Sequence, residues 1–377
     1  MRIRKTFKAT VWAAAAICVA AVLFLGVSWI AEYRPDVRET VIYDTAEPVF
    51  LPDTLTVLSW NVGYAGLGDD MDFFYDGGKR VRDSRRRTLE NLRNIVAELR
   101  KADADIMLLQ EVDCDSHRSY GIREVDSLRA AFPGYVLSFA YNYRAWWVPI
   151  PLRSPMGRVG SGLVTLSRVV PLQAQRVQYP SAFPFPVRLF NLKRCLLALQ
   201  FRTAGGDTVL IGNTHNTAYD AGGMRDAEMR FLGGMLRRDA ARGVVSVVGG
   251  DWNQYPPGYT PSPEERSNEF FVPQAVDSQV FGPGFRFAYD DSAPSLRYLD
   301  APWTPVPEDG EPRQRPQTTL TDFFLVSPGV RVLSVRTLPL GFRSSDHNPV
   351  VMRVVFENTA GAGVQAECTG WVDLAAG

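Results

Sequence analysis

The chain has 377 residues, 46% of them hydrophobic and 22% charged, which is enough for one large globular domain or two ordinary ones. Its 41 basic and 41 acidic residues balance, which excludes a global positive field that would draw the molecule to nucleic acid. Three cysteines outside the first apolar segment are too few for a disulfide framework: Cys114, Cys195 and Cys368.

The first element is an uncharged run from Ala9 to Ala31. As a helix, at about 1.5 Å per residue, this run spans roughly 35 Å and is long enough to cross a bilayer. Basic residues dominate residues 1–8, so we expect a basic cytoplasmic tail, a membrane anchor over residues 9–31 and an extracytoplasmic catalytic domain. The alternative is a cleaved signal peptide and a secreted product, although "GVSWIAEY" offers a poor cleavage site.

The next elements follow a linker predicted over residues 32–54. The stretch "LTVLSWN" alternates apolar and small residues and predicts a strand that ends at Asn61. "RRRTLENLRNIVAELRKA" repeats apolar residues at helical spacing and predicts an amphipathic helix. The apolar run "DIMLLQE" then predicts a buried strand that ends at Glu111.

A second strand, helix, strand unit has the same order. "TVLIGNTHN" predicts a strand, "RDAEMRFLGGMLRRDAAR" a weaker helix, and "GVVSVVGGDWN" a strand that ends in Asp251 and Asn253. In both units polar residues stand just past the carboxyl end of an apolar strand, where α/β sheets gather their sites. Two sheets packed together with helices outside would bring these strand ends to one rim.

Two further strands are predicted in the last third, "TDFFLVS" and "NPVVMRVVF". The segment between Asn253 and Asp322 holds many prolines and predicts a long surface excursion over the rim. Its aromatic residues form either a hydrophobic lip for a substrate or ordinary loop packing: Phe285, Phe287, Tyr289, Tyr298 and Trp303. Residues 357–377 lack periodicity and predict a disordered tail, so the domain is expected over residues 55–356.

Eight polar residues collect at the predicted strand ends: Asn61, Glu111, His215, Asp251, Asn253, Asp322, Asp346 and His347. Carboxylate and amide oxygens without clustered cysteines are hard ligands, which suit Mg²⁺ or Mn²⁺ better than zinc. Two imidazoles beside carboxylates supply what hydrolysis of a phosphate ester needs, since water loses a proton while charge builds on the phosphoryl oxygens. His117, whose neighbours do not match this pattern, is interpreted as structural.

The motifs "LSWNVG", "LLQEVD", "NTHNTAYD", "GGDWN", "TDFFLVS" and "SSDHNPV" occur in an order that resembles the endonuclease/exonuclease/phosphatase (DNase I-like) superfamily. The resemblance covers about residues 55–356. It implies a four-layered α/β sandwich with two mixed β-sheets flanked by helices, here preceded by one N-terminal transmembrane helix. It also implies a phosphoesterase that depends on a divalent metal, Mg²⁺ or Mn²⁺.

The same resemblance implies roles for single residues. Glu111 binds the metal, with Asn61 and Asp346 close to it. His347, paired with Asp322, is the general base or the group on the scissile phosphate. Asp251 and Asn253 align the nucleophile or the transition state, and His215 is the second imidazole.

Two more residues are candidates for substrate binding. Arg194, in "NLKRCLLAL", is a candidate phosphate clamp beside a strand, and the alternative is that Lys193 and Arg194 form an exposed turn. Tyr64, just after Asn61, is likewise interpreted either as a substrate-binding residue or as part of an exposed turn.

The substrate stays open between nucleic acid and phospholipid. An inositol-phosphate phosphatase is an alternative, but "GDWNQYPPG" lacks the basic continuation of that branch. The clusters Arg85–Arg87 and Arg237–Arg238 lie on predicted helices and are interpreted as solvated faces. A rival of another class is a non-catalytic ligand-binding protein on the same fold. We expect a monomer attached to the membrane through its N-terminal helix.

Overall fold

A computed structural model describes residues 2–41, 50–220, 223–303 and 316–357 of the chain. The predicted tail lies outside the described residues except for its first position, and Cys368 lies outside them as well. Helices occur at α1 (Arg2–Ile30), α2 (Arg85–Ala102), α3 (Glu124–Ala131), α4 (Gly223–Ala240) and α5 (Pro263–Arg266). The strands are β1 (Arg38–Thr40), β2 (Thr54–Asn61), β3 (Ile106–Asp113), β4 (Val136–Val148), β5 (Gly157–Ser167), β6 (Gln173–Gln178), β7 (Cys195–Arg202), β8 (Thr208–His215), β9 (Val245–Asp251), β10 (Arg286–Ala288), β11 (Leu296–Arg297), β12 (Thr318–Thr319), β13 (Asp322–Val326), β14 (Val330–Thr337) and β15 (Val350–Phe356).

Helix α2 shows why the periodic segments fold as predicted. Its side-chain cap is Ser84, whose hydroxyl accepts a hydrogen bond from a backbone N–H of the first turn. Leu92, Ile95 and Leu99 recur at helical spacing and are buried, and each such side chain contributes about 1.5–3 kcal/mol on burial. The helix ends where Asp103 adopts a left-handed conformation, with φ of 51°.

Two mixed sheets form the body of the molecule. One has the strand order β1-β6-β7-β8-β9-β13-β10, and the other has the order β14-β15-β2-β3-β5-β4. The pairs β2–β3 and β8–β9 are parallel, and each pair is joined by a helix, which confirms the two predicted strand, helix, strand units. The remaining pairings in the two sheets are antiparallel.

The core lies in three apolar layers. The central layer contains inward residues of both sheets, including Leu55, Val57 and Leu108 from one and Leu197, Ile211 and Val247 from the other. Helices α2 and α3 cover the outer face of the second sheet, and α4 covers the outer face of the first. The predicted four-layered sandwich, DNase I-like with two mixed sheets between helices, is therefore confirmed.

Helix α1 contains one segment, Thr6–Ile30, that is long and apolar enough to cross a membrane, with a mean hydropathy of 2.4. Only 6% of its most apolar window is buried against the rest of the protein. By length and composition the segment fits either an anchor or a signal sequence.

The predicted linker, residues 32–54, is partly built into the fold. Strand β1 pairs antiparallel with β6 and completes one edge of the seven-stranded sheet, and Leu51 is 1% exposed. The N–H and C=O groups at the edge of β6 gain partners from β1, so residues 38–40 belong to the sheet.

The proline-rich segment is also less superficial than predicted. Within its described part, β10 pairs with β13, the β11–β12 ribbon carries the buried Leu296, and the buried Tyr298 directly follows β11. Three of its aromatics, Phe285, Phe287 and Tyr289, pack against the apolar layer under α4, which corresponds to ordinary loop packing. The prediction of a surface excursion fails here because Leu296 and Tyr298 are buried and the three aromatics are partly buried.

Candidate active site

Residues at the carboxyl ends of β2, β3, β8 and β9 line one cavity of about 410 Å³. Nine of the ten residues predicted for the site line this cavity: Asn61, Tyr64, Glu111, Arg194, His215, Asp251, Asn253, Asp346 and His347. The tenth, Asp322, contacts His347 from outside the cavity lining.

His347 is held from several sides. Its Nδ1 lies 2.7 Å from Asp322 Oδ2. The hydroxyl of Ser295 donates to the same carboxylate oxygen over 2.8 Å, and the indole N–H of Trp60 donates to the backbone carbonyl of His347 over 2.9 Å. Both the ring and the backbone of His347 are therefore fixed, and its Nε2 faces the cavity residues.

Asp251 lies between the two imidazoles. Its Oδ2 is 3.4 Å from His215 Nε2 and 3.7 Å from His347 Nε2. Asn61 Nδ2 donates to the same oxygen over 3.1 Å, while the backbone N–H of Asn253 donates to Oδ1 over 3.0 Å. The carboxylate is thus oriented by amide donors and shared by two rings.

The surrounding charges separate the protonation states of the two imidazoles. Burial alone lowers the pKa of His347, but the carboxylates of Asp322, Asp251 and Asp346 outweigh it and raise the pKa to about 10. Burial lowers the pKa of His215 well below its ordinary value, and the positive charges of Arg194 and His347 add to this effect. At neutral pH His347 is therefore charged and His215 is neutral.

Burial also raises the pKa of Asp251, to about 6, because the buried carboxylate has lost water. The charge of His347 opposes this shift and that of Asp322 adds to it. Asp251 is therefore ionised at neutral pH, with a proton affinity higher than that of an exposed aspartate.

A second pair of carboxylates, Glu111 and Asp346, faces the same cavity. Glu111 has a φ of 56°, within a register shift between β3 and β5, and such bulges re-aim a side chain. Burial and the charge of Glu111 raise the pKa of Asp346 to about 7. A side chain at Gly63 would place its Cβ 2.9 Å from Asp346 Oδ1, so the bare glycine makes room for this carboxylate.

These two carboxylates are hard oxygen donors, and the side-chain oxygen of Asn61 beside them accepts a hydrogen bond from the backbone N–H of Gly63 over 3.0 Å. Asn61 Nδ2 lies 3.4 Å from Glu111 Oε1, so the amide belongs to the same group. Repulsion between the buried carboxylate of Asp346 and the partly exposed carboxylate of Glu111 is the condition that a divalent cation relieves. The residues present therefore fit a hard divalent metal such as Mg²⁺.

Arg194 is 7% exposed and lines the cavity, so the alternative of an exposed turn is wrong for this residue. Its Nε and Nη1 have no hydrogen-bond partner among the described residues. Lys193 points elsewhere, since its Nζ lies 2.9 Å from Glu32 Oε1. Arg194 thus brings unpaired donors to the cavity, which an oxyanion would satisfy.

Tyr64 is buried in a left-handed conformation, with φ of 42°. The guanidinium of Arg118 lies 3.7 Å from the centre of its ring, and its hydroxyl has no partner among the described residues. Burial raises the pKa of Tyr64 well above its ordinary value, so the phenol stays protonated and able to donate.

Several residues of the site escaped the sequence analysis. Arg118 pairs with Asp113 at 3.0 Å and lies 3.7 Å from Glu111, and Ser295 holds Asp322. Asp76 and Tyr219 also line the cavity and are hydrogen-bonded to each other. None of these residues stands at a predicted strand end, so the pattern that found the others gave no signal for them.

His117 and two aromatics of the proline-rich segment were also interpreted from the sequence. His117 is exposed and packs edge-on against Trp147. Of the remaining aromatics in the proline-rich segment, Tyr298 lines the cavity, whereas Trp303 packs against Phe342. Of the five aromatics singled out in the proline-rich segment, Tyr298 is therefore the one that lines the cavity, as a contact for a substrate would.

A sequence profile described as the Endonuclease/Exonuclease/phosphatase family matches residues 58–347 of the chain. No curated protein matches the chain. The profile spans every predicted site residue, from Asn61 to His347.

Three solved structures are similar to the chain, and the first of them agrees with the two-sheet fold. An endonuclease/exonuclease/phosphatase from Beutenbergia cavernae is 21% identical with a TM-score of 0.54, over 81% of this chain and 72% of that chain. The human Nocturnin catalytic domain with bound sulfate is 18% identical with a TM-score of 0.48, over 84% and 97%. D. rerio TDP2 complexed with a single-strand DNA product is 14% identical with a TM-score of 0.46, over 80% and 98%.

Proposed function

Because the chain belongs to the endonuclease/exonuclease/phosphatase family, we propose that it is a divalent-metal-dependent phosphoesterase, and within that class a phosphodiesterase. One observation carries the proposal. The ionised Asp251 lies between a charged imidazole, fixed by Asp322 over 2.7 Å, and a neutral one, all beside a single cavity.

The metal is assigned to Glu111, Asp346 and Asn61, and the ion is expected to be Mg²⁺ or Mn²⁺. When bound, the cation neutralises phosphoryl charge and polarises the ester. A second cluster, Asp251, Asp322 and His347, has ligand atoms within 4.8 Å of one another. We assign that cluster to proton handling, because a cation among those atoms would break the hydrogen bond between His347 and Asp322.

Asp251 accepts the proton of the attacking water. Its pKa of about 6 leaves it ionised at neutral pH, and its Oδ2 is held by Asn61. The charged His347 then acts as a donor to a phosphoryl oxygen, which is the second of the two roles expected from the sequence. The first role, that of general base, requires a neutral imidazole. The carboxylates around His347 raise its pKa to about 10, so at neutral pH the ring keeps its proton and does not fill that role.

The remaining residues position the substrate. Arg194 donates its unpaired N–H groups to phosphoryl oxygens, and Tyr64 offers its unpaired hydroxyl as a further donor to the substrate. Asn253 holds Asp251 with its backbone N–H and with its side-chain Nδ2, which donates to Asp251 Oδ2 over 3.4 Å, and so keeps the water in line. Neutral His215 offers a further hydrogen bond without adding charge.

We also propose that α1 anchors the protein in a membrane with its catalytic domain on the extracytoplasmic side. The apolar segment Thr6–Ile30 and the basic residues that precede it support this topology. The domain is proposed to act as a monomer.

The proposal is tested on the purified full-length chain in detergent, with bis(p-nitrophenyl) phosphate as a generic phosphodiester. We expect turnover with Mg²⁺, loss of turnover in EDTA, and recovery when Mg²⁺ is restored. Glu111→Gln is expected to need a higher Mg²⁺ concentration for half-maximal rate, with an unchanged melting temperature. Equal turnover with and without EDTA, or no turnover under any condition, contradicts the proposal.

A further inference from the structure

The last turns of helix α1 are docked on the catalytic domain. Phe24 stacks on Phe190 with ring centres 5.6 Å apart and an interplanar angle of 9°. The indole N–H of Trp146 donates to the hydroxyl of Ser28 over 3.1 Å, and Ser28 is fully buried. The domain thus meets the helix before the helix ends at Ile30.

These contacts fix how deep the domain sits. Phe24 is six residues before the end of α1, which at about 1.5 Å per residue is roughly 9 Å along the helix. It lies inside the apolar segment that is proposed to cross the bilayer, Thr6–Ile30. Trp146 and Phe190 therefore lie at the membrane boundary, the depth that Trp and other aromatic side chains favour.

Two segments next to these residues in the chain expose large apolar side chains, one directly after β4 and the other between β6 and β7. We call this set the apolar lip: Ile150, Leu152, Phe185 and Val187, exposed by 40%, 87%, 58% and 44%. Leu152 and Phe185 do not line the cavity, whereas Ile150 and Val187 do. The lip thus connects the docked end of the helix with the mouth of the active-site cavity.

We propose that the apolar lip inserts into the headgroup region of the bilayer, so that the cavity opens at the membrane and takes the phosphoester of a membrane lipid. This inference rests on the proposed phosphodiesterase function and narrows its substrate to a phospholipid. Exposed basic residues near the lip, Arg144 and Arg153, suit an anionic lipid surface. The continuity of the lip with the docked anchor helix selects the bilayer over a protein partner.

The cavity walls fit such a substrate. Beyond the polar site residues, the lining is aliphatic and aromatic, and it includes Phe73, Met156, Phe183, Leu192 and Phe271. A phosphate carried on an apolar body matches a polar floor with apolar walls. A nucleic acid strand would instead call for basic residues along a backbone track.

The depth of the lip is tested without reference to activity. In the full-length chain reconstituted in nanodiscs, Leu152→Cys is labelled with a water-soluble maleimide, and Leu333→Cys is the control. Leu333 is 42% exposed on β14, at the opposite edge of the sheet from β4. We expect residue 152 to label about tenfold more slowly than residue 333, each relative to its rate in the unfolded chain. Equal protection of the two positions overturns the insertion.

The substrate class is tested with the double variant Leu152→Asp/Phe185→Asp and the control Leu333→Asp. The unmodified chain and both variants are assayed on three substrates. These are vesicles that contain phosphatidylcholine, phosphatidylglycerol, phosphatidylinositol and sphingomyelin; single-stranded DNA; and bis(p-nitrophenyl) phosphate. We expect the unmodified chain to cleave a vesicle lipid, and the double variant to lose about tenfold on that lipid alone. Cleavage of DNA but of no lipid, or equal lipid cleavage by both variants, overturns the inference. If the unmodified chain does not hydrolyse bis(p-nitrophenyl) phosphate, the proposed function itself is refuted.

Discussion

Two buried histidines in one cavity carry opposite protonation states because their neighbours differ. His347 faces three carboxylates, whose charges outweigh burial, whereas His215 faces Arg194 and the charged His347. The difference places a proton donor and a neutral ring on either side of Asp251. Such separated pKa values are typical of catalytic sites.

Asp322→Asn is expected to lower the pKa of His347 by removing its closest negative charge, 2.7 Å away. The metal-free chain contains only three histidines, so NMR titration of their ring protons resolves each one. We expect His347 to titrate near pH 10 in the parent protein and well below that in the variant, with His117 as the internal reference. Titration of the parent His347 near pH 6.5 would contradict the assignment.

The same charge pair has a consequence for stability. Because the folded-state pKa of His347 is raised from 6.5 to about 10, its contribution is fully present below pH 6.5 and is lost as the pH rises through 10. Asp322→Asn therefore lowers the melting temperature at pH 7, and the difference from the parent shrinks above pH 10.

The residues that sequence reasoning found are those that directly follow apolar strands. Asn61, Glu111 and Asp251 belong to this group, because burial of a strand leaves a legible apolar run before them. Arg118 and Ser295 lie in irregular segments, where no periodic spacing relates them to their partners Glu111 and Asp322. No local pattern records such a contact.

At the level of elements, strand ends place the site through unusual backbone conformations. Glu111 and Asn253 have φ of 56° and 52°, a region that costs most residues free energy and is tolerated by asparagine. Periodicity predicted strands β2, β3, β8 and β9 well, because alternating or continuous burial sets their composition. The bulge at Glu111 was not predicted, since it follows from pairing with β5.

The conformation of Asn253 determines how its role is tested. Asn253→Ala combines loss of the amide with strain of about 1–2 kcal/mol at a left-handed position, whereas Asn253→Gly removes the amide without that strain. We expect both variants to lose about 10²- to 10³-fold in kcat. Thermal melts are expected to show the larger destabilisation in the alanine variant. A glycine variant with parental kcat would show that the side chain has no catalytic role.

At the scale of the whole molecule, two similar units place their strand ends on one cavity. The order of the four layers was implied by the resemblance of the ordered motifs to a known family, whereas the two strand, helix, strand units followed from apolar periodicity. The edge strand β1 and the buried part of the proline-rich segment were not predicted. Short segments of three residues carry too little periodicity to distinguish a strand from a linker.

Strand β1 and the buried Leu51 are expected to contribute measurably to the free energy of unfolding. A chain that begins at residue 55 lacks β1 and the buried Leu51, whereas one that begins at residue 32 keeps both. We expect the shorter chain to be less stable by about 2–4 kcal/mol, from the lost apolar burial and the exposed edge of β6. Urea titration of both chains measures the difference, and equal midpoints would show that this segment is a free linker.

The account depends most on the claim that the ring of His347 takes part in the hydrolysis of a phosphate ester. The direct measurement is the Mg²⁺-dependent rate of phosphodiester hydrolysis by the full chain, its His347→Ala variant and the matched His117→Ala control. We expect His347→Ala to lose about 10²- to 10⁴-fold and His117→Ala to keep the parental rate. A His347→Ala variant as active as the parent would contradict the account.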